Sequence, residues 1–315
     1  MERPAERLSL SIALSIPDTT LIQPFLAREA GYFEDQNLDV DIQLVGGNVI
    51  TQVAGGAVDI GFQGLPSALV LTNQGLDMQV LYWALGNQAS GFMAGQKDIT
   101  DPTQCETVAT MPEGTNLYGF AELYKDAYGA TYDHQVFQDP NALGASLISG
   151  QVDCIVQTLG NVNAAVQQGA NIIVDPRDRA SLPEVVQNSA ILEASLFATR
   201  ETVAEKREAI VRFMTAMQQA LRLMRDSTPE EITDLLFQSK DWETQDRAVV
   251  TKLLTELLPF AYAPTDGYIS DEDWSASTEF AVLVGLEFVN PDDAKWSYEQ
   301  RVDMSILDEA NAALG

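Results

Sequence analysis

Apolar and polar residues alternate strictly along Leu8–Leu14 (LSLSIAL) and again along Leu38–Leu44 (LDVDIQL). Period-two alternation marks a strand with one buried face. Between them, Thr19–Ala30 carries its apolar residues at helical spacing and stops at Gly31. The same reading predicts a helix over Asn48–Ala54 and a short buried strand over Val58–Phe62, bounded by glycines. A helix over Pro66–Asn73, with proline in its first turn, and a strand over Met78–Ala84 follow. The pattern then restarts with a strand at Thr107–Thr110, a helix at Thr115–Tyr128 and a strand at Gln135–Phe137. A helix at Pro140–Ser149, a strand at Val152–Gln157, a helix at Asn161–Gln168 and a strand at Asn171–Val174 complete it. Strands alternating with helices imply parallel pairing and an α/β architecture.

The restart is visible in the residues themselves. VAGGAVDIGFQGLPSALVLTNQG (Val53–Gly75) and LISGQVDCIVQTLGNVNAAVQQG (Leu147–Gly169) superpose at a constant offset. Gly56 meets Gly150, Val58 meets Val152, Asp59 meets Asp153, and Gln63 meets Gln157. Two lobes of one plan account for this, whether by duplication or by shared structural demands. The glycines and aspartates read as scaffold. Gln63 and Gln157 lie just past the strands' carboxyl ends, where open α/β sheets take their ligands.

The last third is helical. Thr202 and Glu205 read as a capping box, followed by Ile210, Met214, Met217, Leu221 and Met224 at helical spacing, a core stripe. STPEE (Ser227–Glu231), SDEDW (Ser270–Trp274) and NPDD (Asn290–Asp293) each read as a helix start. The extended segments SGFMAGQ (Ser90–Gln96) and ASLFATR (Ala194–Arg200) read as two crossings between lobes. Residues 1–97 then form the first part of lobe one, and 98–193 form lobe two. Residues 194–315 return to lobe one as a crossing strand and a helical remainder.

The chain has 315 residues, with 46 acidic against 18 basic side chains, a net charge of −28. That surface repels nucleic acid and anionic lipid, which excludes both as partners. The acids are scattered, as on a solvated surface. No apolar run reaches the ~20 residues of a membrane span. LSLSIALSI (Leu8–Ile16) alternates, where a signal peptide has a continuous apolar block, so the chain reads as a mature product. Cys105 and Cys154 match no metal or redox spacing, and His134 is the only histidine. A zinc site or a serine or cysteine triad is hard to build from these, and no metal or cofactor is expected. His134, in HQVF, reads as a strand-edge residue.

Four stretches carry a family resemblance: AREAGYFEDQNLDVDIQLVGG (Ala27–Gly47), GGAVDIGFQGLPSALVLTNQGLDMQVL (Gly55–Leu81), VATMPEGTN (Val108–Asn116) and ALGASLISGQVDCIVQ (Ala142–Gln157). In order and spacing the chain resembles the type II periplasmic solute-binding proteins of ABC importers. The branch is the one serving nitrate, taurine, alkanesulfonates and thiamine-pyrimidine precursors. The resemblance implies a two-lobed clamshell, each lobe a mainly parallel sheet flanked by helices. It implies a protein outside the cytoplasm, its signal peptide removed, that does no chemistry and delivers its solute to a permease driven by an ATPase; a monomer is the default expectation. A sensory module on the same fold and an enzyme like the thiamine-pyrimidine synthases are the alternatives, though the chain lacks the latter's cysteine-rich motif.

Ligand contacts are then expected from the loops after strand ends. In lobe one these hold Asp18, Thr19, Thr20, Asn48, Gln63, Gly64, Leu65, Trp83 and Asn87. In lobe two they hold Glu113, Gly114, Thr115, Asn116, Gln157, Thr158 and Asn161, with Glu193 near the returning crossing. Asn48, Thr115 and Asn161 serve equally well as helix caps, and Trp83 as core. No lysine or arginine falls on these loops, and Asp18, Glu113 and Glu193 oppose an anion. The inventory favours a neutral or cationic nitrogen-containing solute, such as a flat heterocycle on Trp83, over nitrate or a sulfonate. Backbone N–H groups at PEGTN keep the anion alternative open. In the 2-1-3 strand order expected of the fold, Cys105 and Cys154 lie on neighbouring strands. A disulfide and two buried thiols are both compatible with that placement.

Overall fold

The computed structural model describes residues 6–86, 90–113, 115–187, 192–283 and 285–315. Its strands are β1 (Leu8–Leu14), β2 (Leu38–Leu44), β3 (Ile60–Gln63), β4 (Met78–Trp83), β5 (Phe92–Gly95), β6 (Thr107–Thr110), β7 (Asp133–Val136), β8 (Cys154–Gln157), β9 (Asn171–Val174) and β10 (Ser195–Thr199). They form two five-stranded sheets, ordered β2-β1-β3-β10-β4 and β7-β6-β8-β5-β9. In the first, β1 runs parallel to β2 and β3, while β10 is antiparallel to β3 and β4. In the second, β6 runs parallel to β7 and β8, while β5 is antiparallel to β8 and β9. Each sheet therefore has one reversed strand at the same place in its order. Those two strands are the segments that the sequence marks as crossings.

The chain forms two compact units. The first comprises the described parts of 1–87, 194–271 and 294–315; the second comprises those of 88–193 and 272–293. The sequence reading gave the whole helical remainder to lobe one. Residues 272–293 depart from this because most of the helix Asp271–Leu283 packs with the second unit. Phe280 meets Phe120 there (ring centroids 5.4 Å apart), and Ser277 Oγ accepts the Leu192 N–H.

The repeated sequence has a physical cause. Asp59 and Asp153 stand immediately before β3 and β8. Asp59 Oδ2 accepts the N–H (2.8 Å) and hydroxyl (2.9 Å) of Ser11, and its own N–H donates to Ser11 Oγ (3.0 Å). Asp153 Oδ2 accepts the N–H (2.8 Å) and hydroxyl (2.9 Å) of Thr107, and its N–H donates to Thr107 Oγ1 (3.1 Å). Each aspartate thus ties two neighbouring parallel strands, β3 to β1 and β8 to β6. Gly56 and Gly150, three residues upstream, have φ of +64° and +75°, a conformation that disfavours a side chain.

Helix boundaries follow local chemistry. The core stripe is as expected, with Ile210, Met214, Met217, Leu221 and Met224 all buried in the helix Arg207–Asp226. Thr228 and Glu231 form a capping box at Pro229–Leu236. Thr202 is not a cap. The cap is Thr199, whose hydroxyl accepts the Thr202 N–H, and Arg200–Glu205 is a separate short helix. NPDD does not begin a helix either: the next elements are a 3₁₀ turn at Ala294–Trp296 and the helix Tyr298–Arg301.

Cys105 and Cys154 form a disulfide, with Cα atoms 6.0 Å apart. It joins the approach to β6 to the start of β8, at the amino ends of these strands. The bridge closes a loop of 49 residues, and limiting the unfolded chain in this way stabilises by a few kcal/mol. Replacing both cysteines by serine is expected to lower stability by about 2–4 kcal/mol, read from the denaturant midpoint. An unchanged midpoint would contradict this.

His134 lies on the edge strand β7, against the rings of Tyr118 (4.9 Å between centroids) and Tyr132 (5.7 Å), with Nε2 paired to Glu122. Burial holds its pKa below the ordinary 6.5, against the opposing pull of Glu122. The unfolded chain therefore binds more protons just below that pH, and stability falls as pH drops through it. His134→Gln is expected to flatten the fall in melting temperature between pH 7 and 5; an unchanged slope would assign it to other groups.

Candidate functional site

The parallel strands of each sheet end at one edge, and the loops after them hold most of the expected site residues. In the first unit, Asp18 Oδ1 accepts the N–H (2.8 Å) and hydroxyl (2.6 Å) of Thr20, turning the chain toward the helix Gln23–Glu29. The Thr19 carbonyl accepts the Tyr262 hydroxyl (2.8 Å). Gln23, which the sequence reading missed, is fully buried. Its Nε2 donates to the Tyr82 hydroxyl (2.9 Å), and its Oε1 has no hydrogen-bond partner among the described residues.

Gln63 and Trp83 end β3 and β4, and Ser195 of β10 pairs in register with both. The three residues form one rung across the sheet, and two strand spacings put the outer pair about 10 Å apart along it. Gln63 Oε1 accepts the Ser67 hydroxyl (2.8 Å), and its carbonyl accepts the Ser195 hydroxyl (3.0 Å). Gly64 is the N-cap of the helix Leu65–Asn73, and Leu65 is buried. The backbone of Trp83 is held by Gly267 and Thr265 (3.0 and 2.9 Å), while its indole N–H is buried with no partner among the described residues. Asn48 is exposed and does not cap its helix; its side chain donates to the Val45 carbonyl (3.2 Å). Asn87 and Gly114 lie outside the described residues.

In the second unit Thr110 ends β6 with 0 % exposure, and its hydroxyl has no partner among the described residues. Thr115 caps the helix Asn116–Tyr128, its hydroxyl accepting the Tyr118 N–H (3.3 Å) and donating to the Pro112 carbonyl (2.7 Å). Asn116 Oδ1 is buried and likewise unpartnered. Glu113 is exposed, and its side chain covers Gly285, where an added Cβ would lie 2.3 Å from Glu113 Oε1.

Three expectations change here. Gln157 is 1 % exposed, and both ends of its amide are used. Nε2 donates to the Pro140 carbonyl (3.0 Å), and Oε1 accepts the Thr158 N–H (2.8 Å), so the residue locks its own loop. Asn161 is not at a helix start; the helix runs Leu159–Val166, and Asn161 donates to Thr158 Oγ1 at 3.4 Å. The charge count also changes. Arg177 lies just past the carboxyl end of β9, its guanidinium 5.4 Å from the Phe92 ring centroid. That charge is engaged: Nε and a terminal nitrogen contact the Asp175 carboxylate at 2.9 and 2.6 Å. Burial pushes the Asp175 carboxyl up, but the bonds from Arg177 outweigh it and hold its pKa below the usual value.

A groove of about 780 Å³ at the opposite, amino edge of the first sheet includes Gly56, Asp59, Asp77 and Arg200 in its lining. Three of its four charged lining residues, Asp59, Asp77 and Arg200, are in ion pairs. Asp77 binds Arg200 and Arg301 (2.8 Å each), and Asp59 binds Lys206 (2.7 Å). Buried polar atoms without partners are rare in folded proteins, and each calls for an explanation. Among the described residues four such side chains, Gln23, Trp83, Thr110 and Asn116, lie on the carboxyl edges; His134, Asn163 and Trp242 carry the others. Of the four, sequence reasoning found Trp83 and Asn116. Gln23 carried a faint signal as a glutamine inside an apolar helical run, and Thr110 as the hydroxyl closing a buried strand.

The family profile described as NMT1/THI5 like matches residues 18–232. No curated protein sequence matches the chain. Among solved structures, the alkanesulfonate-binding protein SsuA from Xanthomonas axonopodis pv. citri, bound to MOPS, superposes with a TM-score of 0.72 at 15% identity, over 95% of this chain and 99% of that one. The periplasmic nitrate-binding protein NrtA from Synechocystis PCC 6803 gives 0.72 at 14% identity, over 97% and 89%. A Candida albicans protein, described as having the generic periplasmic binding protein structural fold, gives 0.70 at 14% identity, over 94% and 96%. At these identities the likeness is one of fold. Together with the profile match over most of its length, it shows that the chain belongs to the NMT1/THI5-like family.

Proposed function

We propose that this chain is a solute-binding protein that captures a small neutral or cationic, nitrogen-containing or heterocyclic molecule and delivers it to an ABC-type permease, without chemistry of its own. The observation that carries this reading is the set of unpaired buried polar groups on the carboxyl edges: an indole N–H on Trp83, amide oxygens on Gln23 and Asn116, and the Thr110 hydroxyl. Each costs free energy until a partner arrives. On the first unit's edge alone, the Trp83 donor and the Gln23 acceptor suit a flat ligand that both accepts and donates hydrogen bonds. The Arg177 charge is held by Asp175, and a net charge of −28 disfavours the approach of anions. The disulfide supports a place outside the cytoplasm, in an oxidising compartment.

An anion binder of the same family is the second reading. It draws support from the sulfonate and nitrate ligands named for the structural neighbours and from the N-terminus of the 13-residue helix that begins at Asn116.

A thermal-shift panel of 4-aminopyrimidine, imidazole, ethanolamine, ethanesulfonate and nitrate separates the two. The heterocycles are expected to raise the melting temperature and the anions to leave it unchanged. A shift with ethanesulfonate or nitrate alone would establish the second reading instead. Trp83→Phe keeps a ring but removes the N–H, and is expected to weaken binding of the best heterocycle about 5–10-fold. Unchanged affinity by calorimetry would remove that N–H from the site.

A further inference from the structure

The sequence offers Glu193 as a ligand contact; the structure gives its carboxylate another task. The chain passes into the second unit after residue 87 and leaves it after Glu193. Ser90 is the first described residue of the inward passage. Its backbone N–H donates to both Glu193 oxygens, at 3.2 and 3.0 Å. Ser90 is 7 % and Glu193 9 % exposed. A carboxylate so withdrawn from water needs donors, and here one donor is main chain from the opposite passage.

The next residues extend this tie. Gly91 has φ of +83°, and a Cβ there would lie 2.7–2.8 Å from the Phe120 ring. Its carbonyl accepts the hydroxyl of Tyr124, one turn further along the same helix, Asn116–Tyr128 (2.5 Å). Phe92 then begins β5, in register with Gln157 of β8, and Met93 pairs with Val174 of β9. Because β5 lies between β8 and β9, its starting position sets where both carboxyl ends stand. Those ends carry Gln157 and Thr158 on one side and Asp175 with Arg177 on the other. The helix that grips Gly91 is also the one that presents Thr115 and Asn116.

We propose that Glu193 is a positioning residue. Its carboxylate clips the returning passage to the inward one, and through Ser90, Gly91 and β5 fixes the spacing of the second unit's carboxyl-edge loops. The inference rests on the proposed solute-binding function for its effect on affinity, but the clip itself is testable without any ligand.

A positioning role and a direct contact with the solute differ in what Glu193→Gln does. The substituted amide would still accept the Ser90 N–H through its oxygen but would carry no charge. A positioning role therefore predicts rescue by Glu193→Gln and loss with Glu193→Ala. Amide hydrogen exchange at Ser90, read by NMR, is expected to be slow in the wild type and in Glu193→Gln and at least 10-fold faster in Glu193→Ala. Equal exchange in all three proteins overturns the clip, whatever the protein binds. With 4-aminopyrimidine and ethanolamine as probes, Glu193→Gln is expected to bind within about 3-fold of wild type. Glu193→Ala is expected to weaken both by a similar factor of about 10. If Glu193→Gln loses ethanolamine as fully as Glu193→Ala does, with Ser90 still protected, Glu193 contacts the solute and the proposal is wrong. If wild type binds nothing in the panel, the solute-binding reading fails while the exchange result still decides the clip.

Discussion

The hydrogen-bonded tie between two neighbouring parallel strands in each sheet, β3 to β1 and β8 to β6, organises the rest of this molecule. A parallel sheet has no hairpins to set its register, so register must come from side chains and packing. Here Asp59 grips Ser11 through its carboxylate and its own N–H, and Asp153 does the same to Thr107. With the strands aligned at their amino ends, their carboxyl ends reach one edge. In the first sheet that edge holds Gln63 and Trp83, and in the second it holds Thr110 and Gln157. The disulfide strengthens the same amino-end anchorage in the second unit.

The two edges differ in how completely their polar groups are satisfied. At the amino edge, Asp59 and Asp77 meet Lys206, Arg200 and Arg301. At the carboxyl edge, Gln23, Trp83, Thr110 and Asn116 keep buried atoms unpaired. Such atoms are unusual in a folded chain, and four of the seven residues that carry them among the described residues lie on the carboxyl edges of the two sheets. The groove of about 780 Å³ lies at the amino edge instead. The state of the hydrogen bonds is the better guide, because binding energy comes from groups that have something left to offer.

Much of the fold was legible in the sequence because periodicity and glycine placement report backbone geometry directly. β1, β2, β6 and β9 fall where alternation and apolar runs put them, and the doubled Gly-Val-Asp reported the doubled sheet. The site was less legible, because a side chain's task depends on neighbours distant in sequence. Gln157 looks like the twin of Gln63, yet a carbonyl at Pro140 and the next N–H consume it. Arg177 falls outside the charge count because nothing in the sequence marks the loop after the last short strand as edge. The sequence offers Glu193 but not its bond to the Ser90 N–H, more than a hundred residues earlier, because backbone donors carry no sequence signal.

The central claim is that the carboxyl edges, not the amino-edge groove, take the solute. The most direct measurement is electron density from crystals grown with the compound that gives the largest thermal shift. The account predicts density within hydrogen-bonding distance of the Trp83 indole N–H or of Thr110 and Asn116. Density seated against Gly56, Asp77 and Arg200, with the carboxyl edges unoccupied, would contradict it.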